Sequence, residues 1–323
     1  MKHILVTGGA GYIGSHTVKN LMANGYTCIV LDNLIYGHRE AVLTPHFEQA
    51  DISDSKTLHR IFTSWPIDAV IHFAAFGYVG ESVTDPQKYY KNNVTGTLCL
   101  LESMLTHNIK NIVFSSTCAT YGQPEYTPID EDHRQLPINP YGQTKLMIET
   151  IFADYATAYG LNHISLRYFN AAGASADGEL GESHDPETHL IPLVFQAIQG
   201  KRDVLSIFGT DYDTPDGTCL RDYIHVEDLA EAHRLALGKI DSYSGYLNLG
   251  TGVPTSVKEI ITAAEQVTGN PCPVKEAKRR PGDPARLFAA KNKAKEVLGW
   301  EPRYTSLQDI LQTAWNWECR RRF

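Results

Sequence analysis

Two side chains suited to moving a proton stand four positions apart: Tyr141 and Lys145, in the segment NPYGQTK at residues 139–145. Asn followed by Pro is an order that helix starts prefer, because the amide side chain caps free N–H groups and proline lacks one. On a helix, a spacing of four brings phenol and ammonium to one face. A free phenol ionises near 10, so a tyrosine acting as base at neutral pH must be lowered by roughly three units, or about 4 kcal/mol. One positive charge about 5 Å away supplies on the order of 3 kcal/mol at an effective dielectric near 20. A second positive group is therefore required, with the helix N-terminus adding a little.

The start of the chain points to that group. MKHILVTGGAGYIG runs a short apolar strand at residues 4–6 into Gly8, Gly9, Gly11 and Gly14, where a helical pattern begins. Glycines at this spacing permit a sharp bend, close approach of backbone to a pyrophosphate, and tight packing of helix on strand. Ile13, Val18, Leu21 and Met22 give the next segment an apolar stripe, and a strand at residues 27–31 then delivers Asp32. A carboxylate at this distance beyond the turn bonds a ribose 2′-hydroxyl and repels a 2′-phosphate, so the expected cofactor is NAD rather than NADP. Its oxidised nicotinamide ring carries the second positive charge.

Stepping outward, short apolar runs alternate with helical patterns: residues 4–6, 28–31, 47–52, 69–75, 112–116 and 164–169 read as strands. Such alternation predicts a parallel sheet wrapped on both faces. Val94, Leu98, Leu101 and Leu105 predict a helix over residues 92–107, packed on that sheet. After Asn170 the pattern changes to Gly- and Asp-rich loops between shorter elements. Residues 1–170 are therefore expected to form the dinucleotide-binding domain and residues 171–323 a smaller substrate-binding α/β domain, with a possible returning segment near 220–255.

The chain has 323 residues, 42% hydrophobic and 20% charged, which suits a soluble globular protein with a large core. With 29 basic against 37 acidic residues and a net charge of −8, a nucleic-acid partner is not expected. No apolar run is long enough for a membrane span, and a core strand begins at residue 4, so a cytoplasmic location is expected. Cys28, Cys99, Cys118, Cys219, Cys272 and Cys319 are scattered without CxxC spacing and read as reduced thiols. No metal site is expected, and His72 and His225 read as core histidines.

The chain resembles the extended short-chain dehydrogenase/reductase family and, within it, the UDP-glucose 4-epimerases. The resemblance rests on TGGAGYIGSH at residues 7–16, LDNL at 31–34, HFAA at 72–75, NNVTGT at 92–97, SSTCATYG at 115–122 and NPYGQTK at 139–145. LRYFNAAGA at 166–174, DGTCLRDYIHVEDLA at 216–230 and RRPGD at 279–283 are more specific. It implies an α/β fold, a doubly wound parallel sheet of Rossmann type with a C-terminal substrate domain. Gly8, Gly11, Tyr12, Ile13, Gly14, Asp32, Asn33, Asp51, Ile52, Phe73, Ala74, Asn93, Lys145 and Phe169 would hold NAD. Tyr141, Lys145, Thr117 and Ser115 would form the catalytic group, and Asn170, Leu190, Arg221, Arg280, Asp283 and Leu287 would join Thr117 and Tyr141 in holding a UDP-sugar. Arg suits a diphosphate through its planar fork of donors. Two positions depart from some members: Gly77 stands where they carry Lys, and His189 where they carry Asn.

The implied reaction is 4-epimerisation of a UDP-sugar, UDP-glucose/UDP-galactose first, with N-acetylhexosamine and pentose (xylose/arabinose) substrates open. Tyr141 takes the proton of the 4-hydroxyl while hydride leaves C4 for NAD, and hydride returns to the opposite face of the 4-keto sugar. Nucleotide-sugar 4,6-dehydratases begin alike but carry Asp-Glu after the strand-end Thr, where this chain has Cys118 and Ala119. A non-catalytic NAD sensor on the same fold would be expected to lack Tyr141 or Lys145. The resemblance also implies a homodimer through helices at residues 92–107 and 141–155.

Overall fold

The computed structural model describes every residue except Met1, Pro281 and Lys291, so Pro281 of the RRPGD segment lies outside the described residues. The first six strands are β1 (His3–Thr7), β2 (Thr27–Asp32), β3 (Phe47–Gln49), β4 (Ile67–His72), β5 (Asn111–Thr117) and β6 (Asn162–Tyr168). With the strand Gly245–Leu249 added beside β6, the seven run parallel in the order Gly245–Leu249, β6, β5, β4, β1, β2, β3. The order reverses direction between β1 and β4, which leaves a crevice at their carboxyl ends.

Alternation along β1 explains the layering. Ile4 and Val6 face one side, where Val18 and Leu21 of the helix Tyr12–Ala23 meet Leu229, Ala232 and Ala236 of the helix Val226–Lys239. Leu5 faces the other, against Leu58, Leu100, Leu101, Met104, Ile148 and Phe152. Both faces are dry, as a parallel sheet requires. The helix Pro140–Tyr159 starts as its sequence predicts, with Asn139 Oδ1 accepting from the Gly142 amide at 2.8 Å. The segment expected as one helix over 92–107 begins instead as a wide π turn at Tyr90–Thr95 before the α-helix Gly96–Thr106. Asn93 lies on that turn, fully buried, its side chain tied to the Phe76 backbone and to Thr144.

Beyond Tyr168 the chain builds a small sheet around Leu220–His225, flanked by Pro254–Ser256, Arg286–Leu287 and Asn170–Ala172. Ile191, Val194, Phe195, Ile260, Ala264, Ile310 and Leu311 form its separate core. His72 and His225 are core residues here: His72 lies between Thr7 Oγ1 (2.7 Å) and Thr97 Oγ1 (2.9 Å), and His225 meets Thr313 Oγ1 at 3.0 Å.

Candidate active site

A cleft of about 540 Å³ opens at the carboxyl ends of the central strands, between the large sheet and the small one. Of the residues assigned above to catalysis, cofactor or substrate, all but Asp51, Asn93 and Arg280 line it. Asp51 stands one shell back, accepting from Asn33 Nδ2 at 2.9 Å and so fixing that amide. Asn93 is occupied in holding the loop after β4 to the Pro140–Tyr159 helix. Arg280 turns outward, its guanidinium 4.1 Å from the centroid of the exposed Phe208 ring.

At one end the glycine turn is shaped for backbone approach. Gly8 has φ +74°, and a Cβ there would lie 2.6 Å from the Ala74 amide nitrogen. A Cβ on Gly14 would lie 2.2 Å from the Gly8 carbonyl oxygen. Side chains are thus excluded from a cradle that a dinucleotide backbone can fill. Asp32 closes that end at the tip of β2, Oδ2 accepting from the Ala10 amide at 3.0 Å and Oδ1 from the Leu34 amide at 2.9 Å. Burial raises its carboxyl above the usual range, and those two amides pull it back.

In the middle, β5 ends at Ser115 and Thr117, and the facing helix brings Tyr141 and Lys145 against them. Lys145 is buried, with Nζ donating to the Ser115 carbonyl at 2.7 Å and lying 5.9 Å from the Tyr141 ring centroid. The Ser115 hydroxyl bonds the Tyr168 hydroxyl, and the Thr117 side chain bonds Tyr141. Burial pushes the Tyr141 phenol up to about 12, against the pull of Thr117. Burial also draws the Lys145 ammonium down to about 7, against Glu149 one turn further along the helix. Burial thus drives both groups toward their neutral forms.

At the far end, Arg221 is held by the carbonyls of Leu220 (2.9 Å) and Pro284 (2.8 Å) and by Asp283. The helix Leu190–Ile198 points its start into the cleft, and no side chain caps it. An uncapped helix start in a cleft that also holds Arg221 is suited to an anion. Asn170 donates to the Asp222 carbonyl at 3.0 Å, and Leu287 lies beside Arg221 in register while packing on Phe169 and Cys118.

Two groupings were not read from sequence. Glu149 and Arg167, both fully buried, form a two-pronged pair at 2.9 and 2.6 Å behind Lys145. Its sequence signal is the continuation of Tyr141 and Lys145 by a further four to Glu149. Glu182, His184, Glu187 and His189 gather on the cleft wall, their donor atoms all within 4.8 Å of one another. The alternation ExHxxExH was visible there, although nothing in it shows that the loop folds back on itself.

Comparison with known proteins agrees with this geometry. Residues 4–250 match the model of the NAD dependent epimerase/dehydratase family. The chain is 56% identical over 316 residues, 97% of its length and 95% of the relative's, to a UDP-glucose 4-epimerase of Halalkalibacterium halodurans. Among solved structures it is similar to the UDP-glucose 4-epimerase of Brucella ovis in complex with NAD, at TM-score 0.95, 52% identity and 98% coverage of both chains. The UDP-glucose 4-epimerase of Bifidobacterium longum in complex with NAD+ and UDP is similar at TM-score 0.94, 39% identity and 99% coverage of both.

Proposed function

The chain belongs to the NAD dependent epimerase/dehydratase family, among the UDP-glucose 4-epimerases, and from that premise we propose how its own residues carry out the reaction. It is an NAD-dependent UDP-sugar 4-epimerase. Tyr141 is the base for the 4-hydroxyl proton and the acid that returns it. The observation carrying this assignment is the meeting of Tyr141, Thr117 and Lys145 in one cleft with the glycine cradle and Arg221. The cradle, Asp32 and Lys145 would hold NAD, whose positive ring would supply a hydride acceptor and donor beside Tyr141.

Magnitudes assign the work. An ammonium about 6 Å from a phenolate contributes on the order of 3 kcal/mol at an effective dielectric near 20, or roughly two pK units. A protonated Lys145 therefore favours the Tyr141 phenolate but does not by itself offset the burial that pushes the phenol up. The positive nicotinamide ring of NAD would supply the remainder needed to make Tyr141 a competent base. Thr117, bonded to Tyr141, holds the phenol toward the sugar O4.

Arg221 and the uncapped start of the Leu190–Ile198 helix grip the diphosphate, while Leu287 and the strand ends leave the sugar free to turn over. Residues 1–170, with the returning helix Val226–Lys239 and strand Gly245–Leu249, form the NAD half, and most of the rest of residues 171–323 the UDP half. Two copies pair through the helices Gly96–Thr106 and Pro140–Tyr159, whose faces expose Leu98 and Met147. No helix among the described residues is long and apolar enough to cross a membrane. Free thiols, five of the six half-buried or deeper, suit a reducing cytoplasm.

The test is purified protein, no added cofactor, and a panel of UDP-hexoses, UDP-N-acetylhexosamines and UDP-pentoses with products separated by chromatography. Interconversion of UDP-glucose and UDP-galactose is expected. Absence of any 4-epimer, or a 4-keto-6-deoxy product, would overturn the reading.

A further inference from the structure

The wall of the cleft ahead of the Leu190–Ile198 helix carries four donors that the epimerase reaction does not use. His189 Nδ1 lies 2.9 Å from Glu187 Oε1 and 3.0 Å from Glu182 Oε1. His184 Nδ1 lies 3.4 Å from Glu182 Oε1 and 3.4 Å from Glu187 Oε2. These last contacts are not hydrogen bonds: both His184 Nδ1 and Glu187 Oε2 are buried with no hydrogen-bond partner. The Glu187 side chain is only 4% exposed: its Oε1 accepts from the Thr188 and His189 amides at 2.8 Å each, while its Oε2, 3.4 Å from His184 Nδ1, is left unmet. A buried acceptor left unmet costs about 1–3 kcal/mol, more when charged, unless something else occupies the space.

The spacing describes the occupant. Bonds of about 2.0–2.2 Å from imidazole nitrogen and carboxylate oxygen to a tetrahedral ion put neighbouring donors about 3.3–3.6 Å apart. The two His184 contacts of 3.4 Å match that edge, the His189 contacts of 2.9 and 3.0 Å are shorter than it, and one ligand atom from each of the four residues lies within 4.8 Å of all the others. Two carboxylates neutralise a divalent charge. Two imidazoles favour zinc and its neighbours over magnesium or calcium, which prefer all-oxygen shells. The backbone is anchored for the purpose: the Glu182 carbonyl accepts from Trp317 Nε1 at 2.8 Å and from Arg321 at 3.2 Å.

We propose that Glu182, His184, Glu187 and His189 bind one divalent transition-metal ion of the zinc class, which clips the loop that leads into the Leu190–Ile198 helix. The ion joins residues at both ends of an eight-residue span. It also fixes the His184 ring, which stands edge-on to Tyr12 of the glycine turn and Tyr78 of the loop after β4. The site is thus a positioning device on the cleft wall.

Full-length protein, stripped with a chelator and dialysed, is titrated with Co2+, and the absorption bands of four-coordinate cobalt are followed. One ion per chain is expected, displaced by Zn2+. Glu187→Gln and His184→Gln should each weaken Co2+ binding by at least about tenfold, the least that loss of a direct ligand entails when supporting contacts alone are worth 10–100-fold. The double variant His59→Gln/His107→Gln, which removes the surface pair whose rings lie 2.9 Å apart, should leave it unchanged. NAD released per chain on denaturation reports whether each variant is folded and keeps this test separate from activity. X-ray absorption of the zinc-loaded unmutated protein needs no variant and should show nitrogen and oxygen ligands only. No saturation at one ion per chain, sulfur ligation, or equal binding by the folded Glu187→Gln and His184→Gln proteins would overturn the site.

Discussion

At the scale of single residues, Tyr141 and Leu287 divide chemistry from selectivity. Tyr141→Phe removes the proton acceptor while leaving Arg221 and the helix start at Leu190 in place. Turnover should fall by about 10² to 10⁴-fold, the usual share of an acid–base residue, with UDP binding nearly intact by calorimetry. Retention of half the activity would mean that another group takes the proton. Leu287 lines the cleft and packs against a small apolar cluster. A leucine there leaves room that a tyrosine ring and hydroxyl would fill, so measurable epimerisation of UDP-N-acetylglucosamine is expected. Leu287→Tyr should suppress that activity far more than the UDP-glucose activity. Equal loss of both, in paired chromatographic assays, would remove Leu287 from substrate selection.

At the scale of elements, the Pro140–Tyr159 helix presents Tyr141, Lys145 and Glu149 at successive turns, and Glu149 anchors Arg167 of β6 in the dry interior. Glu149→Leu leaves that guanidinium buried without its counter-charge and should cost about 3–5 kcal/mol, measured by urea unfolding. Adding Arg167→Leu should restore most of the loss, since a buried pair replaced by apolar groups is often nearly neutral. If the single variant is as stable as the unmutated chain, the pair is not what holds helix to sheet. The contrast between this pair and the Tyr-Lys pair shows what a sequence discloses. Glycine spacing, the acid at the tip of β2, the strand runs and the spacing of four are local patterns, and each is where the periodicity puts it. Arg167 meeting Glu149, or the four donors between Glu182 and His189 converging, depends on how distant turns of chain pack. The outward turn of Arg280 is of the same kind: Phe208, 72 residues away in the sequence, offers its ring face.

Across the whole molecule, burial rather than pairing governs four histidines. His72 and His225 are drawn down to about 3, and His16 and His233 to about 4, in each case chiefly by loss of solvent. All four stay neutral in the folded protein at pH values where the unfolded chain, with histidine near 6.5, takes up protons. The unfolded state then binds more protons, so stability rises with pH between about 4 and 6.5 and is lost on acidification. Each group contributes at most about 1.4 kcal/mol per pH unit in that window. His233→Phe removes one such titrating group, together with its Nδ1 contact to the Leu229 carbonyl at 2.8 Å, and should flatten the slope of unfolding free energy by about one such share. An unchanged slope would show that His233 is charged in the fold. The account as a whole stands on one chemical statement, that the hydrogen on sugar C4 leaves as hydride and returns to the same carbon. UDP-glucose carrying deuterium at C4, incubated with the protein in ordinary water and analysed by mass spectrometry and NMR, tests it. The predicted product is UDP-galactose with the deuterium still at C4; deuterium lost to solvent, or moved to C6, would contradict it.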